Sequence, residues 1–208
     1  MAAYKSTAAT LNAFICFEDE AGQSLSPPHG HTWGPRGVTP VVKVVTARTH
    51  RVSIAGLIAF RPDRPDQVRY MYRTLVYRRR KADRKGFNEE DYAALLDAAH
   101  QQLGGNIVLV WDNINTHVSA RMVELIATRK WLTVFRLPTR APELNPVEGV
   151  WSAMKSGIVN LSKRDIDQLR QILKTRLRRL QYRPKTLAGF LARTGLNLDP
   201  LTSIPEAL

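Results

Sequence analysis

The sequence predicts an α/β domain built on a mixed sheet, and three features carry that expectation. Short β-prone segments fill the first third of the chain, helix-like and strand-like segments alternate after them, and the continuous apolar run Ile107-Val108-Leu109-Val110 has strand length between two turn signals. A run of that kind belongs to a central strand covered on both faces, and alternation of helix and strand belongs to a layered α/β architecture.

Leu11 to Phe17 is short and β-prone, ends at the acidic cluster Glu18-Asp19-Glu20, and precedes a loop rich in Gly, Ser and Pro that reaches Gly37. It reads as a buried strand delivering acids at its C-terminal end. Val41 to Thr46, Val52 to Phe60 and Tyr70 to Tyr77 are rich in Val, Ile, Thr or Tyr and separated by polar breaks, so with the first segment they predict an antiparallel meander. Asn88 offers a helix cap with Asp91 in the first turn, and Tyr92, Leu95, Leu96, Ala99 and Leu103 recur at helical spacing until Gly104-Gly105. Asn106 to Trp111 is the central strand, with Asp112 at its C-terminal end. Ser119 to Arg129 forms a helix and Leu132 to Leu137 a short strand. Asn145-Pro146 opens a further helix, with Asn145 as cap and Pro146 in the first helical position. Beyond Ser162, residues Ile166, Leu169, Leu173, Leu177 and Leu180 trace one helix face while Arg170, Lys174 and Arg178 run beside it at intervals of four. Such a helix docks on one side and offers cations on the other.

With 208 residues and 44% apolar content the chain is long enough for one sizeable core. The single cysteine, Cys16, lies in an apolar run, reads as a small buried hydrophobe and permits no disulfide within the chain. The N-terminal MAAYKSTAAT lacks the pattern of a secretory leader, and no apolar stretch approaches the roughly 20 residues of a membrane span, so a cytoplasmic, nucleoid-associated protein is expected. The net charge of +13 suits a protein that handles a polyanion. It is concentrated: Arg61 to Lys85 holds ten basic against three acidic residues, and Lys163 to Lys185 nine against two. Two blocks of this kind predict phosphate-contacting surfaces, with Arg78, Arg79, Arg80, Lys81, Arg170, Lys174 and Arg178 as the DNA-binding candidates.

Three acids point to chemistry on such a polymer. Asp112 and Glu148 are separated by 35 residues, and Asp19 lies upstream at the end of the first predicted strand. Phosphodiester cleavage needs an oxygen nucleophile in line with the leaving oxygen, and two divalent ions can stabilise both oxygens if carboxylates hold them. Mg²⁺ suits that role because it takes one or two protein carboxylates and keeps the rest of its shell for water and phosphate oxygens. Neighbouring strands would set Asp19 beside Asp112, and Glu148 would close the site from the helical layer. Competing readings exist for each acid: a capping box for Asn145 and Glu148, a turn pair for Asp112-Asn113, and Glu18 or Glu20 in place of Asp19, although strand alternation puts those two on the opposite face. His29 and His31 have no cysteine partners at zinc-ligand spacing, and His117, five residues after Asp112, is a candidate to support the acids or touch a phosphate. Lys155, two helical turns beyond Glu148 on the same face, is a further phosphate-contact candidate. Trp33, Trp111 and Trp151 read as core rather than base-stacking platforms.

The stretches FEDEAGQS, HTWGPRG, VLVWDNINTH and LPTRAPELNPVEGVWSAMK together resemble the catalytic domain of DDE transposases from bacterial insertion sequences, in the branch related to the mariner elements. The resemblance implies a ribonuclease-H-like fold with a five-stranded mixed sheet and helices on both faces, over residues 1–162, with 163–208 as a basic helical extension on the same domain. It implies that Asp19, Asp112 and Glu148 hold two Mg²⁺ or Mn²⁺ ions, and that the enzyme cuts transposon ends with water and joins the freed 3′-hydroxyl to target DNA, as a homodimer. The chain departs from the family at Thr139-Arg140, where members usually show proline and an aromatic residue. Members also usually begin with helix-turn-helix modules, for which the stretch before Asp19 has no room. The expectation is therefore an N-terminal recognition module from an upstream reading frame, or a remnant that no longer transposes. A stand-alone nuclease on the same fold and an inactive DNA-binding remnant are the rival readings. The intact acids argue against the second, since three unused carboxylates in one place repel each other.

Overall fold

The first 26 residues already depart from the sequence pattern. In the computed structural model, which describes residues 3–26, 28, 33–37, 41, 50–159 and 165–195, the chain begins with a helix, α1 (Ala3–Thr10), that buries Tyr4 and Ala8. Leu11 and Asn12 then turn the chain, Asn12 in left-handed conformation. Strand β1 (Phe14–Ser24) starts later than expected and does not stop at the acidic cluster, because its antiparallel pairing with β2 (Arg51–Arg61) continues from Ile15 to Ser24. Asp19 is therefore in the middle of a strand rather than at its end. β3 (Arg64–Tyr77) completes the meander, and the expected strand Val41 to Thr46 falls, apart from Val41, outside the described residues.

The alternating half follows. Helix α2 (Glu89–Leu103) has the full reciprocal cap between Asn88 and Asp91 and ends at Gly104, whose φ of 69° is the left-handed conformation glycine adopts at no steric cost. β4 (Ile107–Trp111) is buried at every position. A single turn, α3 (Asn115–Val118), leads into α4 (Ala120–Ala127), capped by Ser119, and β5 (Leu132–Arg136) returns to the sheet. A 3-10 turn at Pro142–Leu144 precedes α5 (Val147–Ser156), which is followed by α6 (Ile166–Gln181) and α7 (Pro184–Arg193).

The five strands lie in the order β3-β2-β1-β4-β5, with β4 and β5 parallel to β1 and the meander antiparallel. Alternation along the strands sorts side chains to two cores. Ile15, Phe17, Val108 and Val110 face α1, α5, α6 and α7, whereas Cys16, Leu109 and Trp111 face α2 and α4. Helix α6 lays Leu169, Leu173 and Leu177 into the first core, each fully buried and each stabilising by about 1.5–3 kcal/mol. Among the described residues no helix is long and apolar enough to cross a membrane.

Candidate active site

Parallel pairing of β1 with β4 matches Phe17 to Val110, and continuing that register by two residues sets Asp19 alongside Asp112. Both then point, by alternation, to the face that carries α5. Asp19, Asp112 and Glu148 line one open cavity of about 320 Å³, together with the loop Leu137–Pro142 and Asn145. The acids that the sequence spreads from residue 19 to residue 148 thus line one cavity, beside the middle of β1 and just past the end of β4.

Each acid is held differently. Asp19 Oδ2 accepts a hydrogen bond from the indole Nε1–H of Trp151 at 2.8 Å. Burial above all, and then the negative charges of Glu148 and Asp112, push the Asp19 carboxyl up to about 7, against the opposing Trp151 bond. Trp151 reaches Asp19 because the residue opposite Asp19 on β2 is Gly56, where a Cβ would sit 2.7 Å from the indole. Asp112 is half-buried; burial works to raise its carboxyl, but hydrogen bonds from His117 and from the Ile114 N–H hold it below the usual aspartate value. The bond to Ile114 is the turn contact expected of an Asp after a strand, and it occupies only one oxygen.

Glu148 is exposed at the start of α5, and among the described residues its carboxylate takes no hydrogen bond, so the capping-box reading does not hold. The helix begins one residue later than expected, at Val147, with Pro146 in the cap position. Asn145 nevertheless supplies the acceptor: its Oδ1 receives the Val147 N–H at 3.1 Å, while its Nδ2 donates to the Glu18 carbonyl of β1 at 2.9 Å. This buried amide ties the helix carrying Glu148 to the strand carrying Asp19. Asn145→Ala leaves a buried carbonyl and a helix N–H unpaired, and should lower stability by about 1–3 kcal/mol in urea unfolding. An unchanged midpoint would show the tether to be idle.

The rival acids are drawn to the other face. Glu20 Oε2 accepts from the Tyr92 hydroxyl at 2.6 Å. Glu18 is fully buried, and burial followed by the charges of Asp19, Glu20 and Asp112 raises its carboxyl well above the ordinary range. His117 lies between the layers, 1% exposed, its ring stacked on Trp111 at 3.9 Å and met edge-on by Tyr92 at 4.7 Å. Its Nδ1 is 2.9 Å from Asp112 Oδ1 and its Nε2 3.4 Å from Glu18 Oε2. An ionised Asp112 can only accept, so Nδ1 carries the proton and the ring fixes the carboxylate's direction. His117 is thus buried behind the acids, supporting Asp112.

The basic candidates lie elsewhere. Arg78 is engaged by Asp167 on α6, and Arg79, Arg80 and Lys81 are exposed on the segment after β3, Arg79 with left-handed backbone. Lys155, Lys174 and Arg178 are exposed on α5 and α6, and Arg170 is half-buried. None of these eight lines the acid cavity. Trp111 and Trp151 are buried as expected, but Trp33 is fully exposed and belongs to neither core. His29 and His31 lie outside the described residues.

Sequence reasoning missed the role of Trp151, whose spacing of three from Glu148 puts both on adjoining turns of α5, and the clearance at Gly56, which looks in the sequence like any strand glycine.

A comparison with curated proteins finds no relative in sequence. Solved structures supply the likeness instead. The fold is similar to that of the Mos1 mariner paired-end complex with Mg (TM-score 0.62, 13% identity, 93% of this chain and 59% of that one) and the Mos1 paired-end complex with left transposon end (TM-score 0.56, 13% identity, 95% and 60%). It is similar also to the isolated catalytic domain of Mos1 mariner transposase (TM-score 0.50, 13% identity, 93% and 87%). The chain thus spans about 60% of the longer Mos1 chains and most of the catalytic domain. Residues 77–171, which include Asp112 and Glu148, match the family described as DDE superfamily endonuclease, and the five-stranded sheet with its two helical layers has the ribonuclease-H-like fold of the mariner transposase catalytic domain.

Proposed function

We propose that this chain is the catalytic core of a DDE-type DNA transposase that cuts and rejoins phosphodiester backbones with divalent metal. The observation that carries the reading is the meeting of Asp19, Asp112 and Glu148 in one cavity, with Asp19 pushed up to about 7 by burial and by its like-charged neighbours. Negative charge gathered in this way is stabilised by a cation.

Among the described residues no three His, Cys, Asp or Glu side chains form a ready-made cage for one ion. Mg²⁺ or Mn²⁺ needs no such cage, because one or two carboxylates hold it at a time while water and substrate phosphate oxygens complete the shell. Asp19 and Asp112 on the sheet and Glu148 on α5 would hold two such ions, which when bound supply charge stabilisation of the attacking and leaving oxygens. The chain's own residues do the positioning. Trp151 directs Asp19, His117 directs Asp112, and Asn145 fixes the helix of Glu148 against β1. The exposed cations after β3 and along α6 would grip the phosphate backbone with salt-dependent affinity.

The finer reading is a protein of a bacterial insertion sequence, working on transposon ends and target DNA in the cytoplasm as a homodimer, with end recognition supplied by an N-terminal helix-turn-helix module. It rests on the quoted sequence motifs and on the paired-end assemblies that the similar Mos1 chains form.

The test is a joining assay: the purified chain, labelled duplexes carrying the inverted repeats that flank its gene, and supercoiled target, with Mn²⁺ or with chelator. Joined products that need the metal are the expected result. Cutting without joining would replace the transposase by a plain nuclease, and a folded, DNA-binding chain that never cuts, even when fused to a recognition module, would leave an inactive remnant.

A further inference from the structure

Among the described residues Arg140 is the basic residue that lines the acid cavity, on the loop between β5 and the 3-10 turn at Pro142–Leu144. Its φ is 60°, a conformation that costs a bulky side chain and that glycine or asparagine adopts more easily. It is exposed, and among the described residues it has no hydrogen-bond or ion-pair partner, although Asp19, Asp112 and Glu148 line the same cavity. A guanidinium placed to neutralise those acids would be paired with one of them. One that lines the same cavity unpaired, on a backbone that favours another residue, is available to an anion entering the cavity.

We propose that Arg140 grips a backbone phosphate of the DNA strand beside the one that reacts, holding the strand from the loop side while the acids act from the sheet and α5. The planar fork of arginine suits a phosphate in two-pronged contact. This inference rests on the reading of the cavity as a DNA-processing site.

The experiment compares wild type with Arg140→Asn and Arg140→Lys. Asparagine tolerates the left-handed backbone, so its thermal midpoint should equal or exceed that of wild type, and lysine keeps the charge without the fork. Duplex binding is followed by fluorescence anisotropy between about 50 and 200 mM salt, where each phosphate contact contributes about 0.9 to the slope of log K against log salt. Arg140→Asn should lose about one contact from that slope and cut at least about tenfold more slowly, the loss expected when one charged contact of about 1.4 kcal/mol is removed. Arg140→Lys should keep the slope and recover only part of the rate. A folded Arg140→Asn chain with unchanged slope and rate, beside a wild type that binds and cuts, overturns the inference alone. A wild type that shows neither salt-dependent binding nor metal-dependent cutting overturns the functional reading with it.

Discussion

Asp19→Asn is expected to lower metal-dependent cleavage by about 10³-fold or more while making the metal-free protein more stable. The first effect follows from removing a carboxylate from the cavity where charge stabilisation of several kcal/mol is proposed to arise. The second follows from the raised carboxyl. Asp19 sits at about 7 in the folded chain against an ordinary value of 3.8, so between about pH 4 and 7 the folded state keeps a proton that the unfolded state has lost. Stability of the metal-free protein therefore falls as pH rises through that window, and the buried carboxyl of Glu18 adds to the trend in both proteins. Asparagine accepts the Trp151 hydrogen bond through its own Oδ1 and carries no charge. In urea unfolding at pH 8 with chelator the variant should exceed wild type by about 1–3 kcal/mol, and near pH 4 the two should coincide. Adding Mn²⁺ should reverse the order at pH 8, because only the intact site gains binding free energy. A variant that is less stable than wild type at pH 8 without metal would show that burial and the neighbouring acids do not penalise the Asp19 carboxylate there.

Gly56→Val should cost about 2–3 kcal/mol and reduce cleavage together. A Cβ at this position would lie 2.7 Å from Trp151 Cη2 and 2.8 Å from the Tyr70 hydroxyl, both of them in buried side chains. Valine suits a strand better than glycine does, so propensity opposes the loss by about 0.5–1 kcal/mol, but overpacking of a close-packed core outweighs it. The displaced indole takes with it the hydrogen bond that directs Asp19, which links the stability loss to the activity loss. Gly189 in α7 is the control: nothing lies within 4 Å of a Cβ there, so Gly189→Ala should raise stability by about 0.5–1 kcal/mol and leave cleavage alone. Equal urea midpoints for wild type and Gly56→Val would show that Trp151 can shift without cost.

Much of the architecture was legible. The reciprocal Asn88–Asp91 cap, the Gly104 stop, the buried strand of residues 107–111 and the apolar stripe of α6 all follow from local stereochemistry or periodicity, and the structure has each of them. Helix α1 was not legible, since Tyr4 and Ala8 alone face the core and a stripe of two residues has no period to read. The length of β1 was hidden for another reason. Ala21 and Gly22 are weak strand formers, and their strand conformation comes from pairing with Ile54 and Ser53 of a distant segment. Trp33, counted with the core on its chemistry alone, is fully exposed.

The sequence by itself determined the strand-helix alternation, the charge that suits a polyanion, and Asp19, Asp112 and Glu148 as candidate acids, because composition, period and motif reside in residues near one another along the chain. The tertiary structure decided how those acids are held and charged. Only the β1–β4 register sets Asp19 beside Asp112, only the gap at Gly56 admits Trp151 to Asp19, and only burial, with the neighbouring acids second, raises one carboxyl to about 7 while His117 and a backbone N–H hold another low. These effects depend on separations of a few ångströms between residues up to 132 positions apart, and a carboxyl responds to the burial and charges around it in space, which no local pattern encodes.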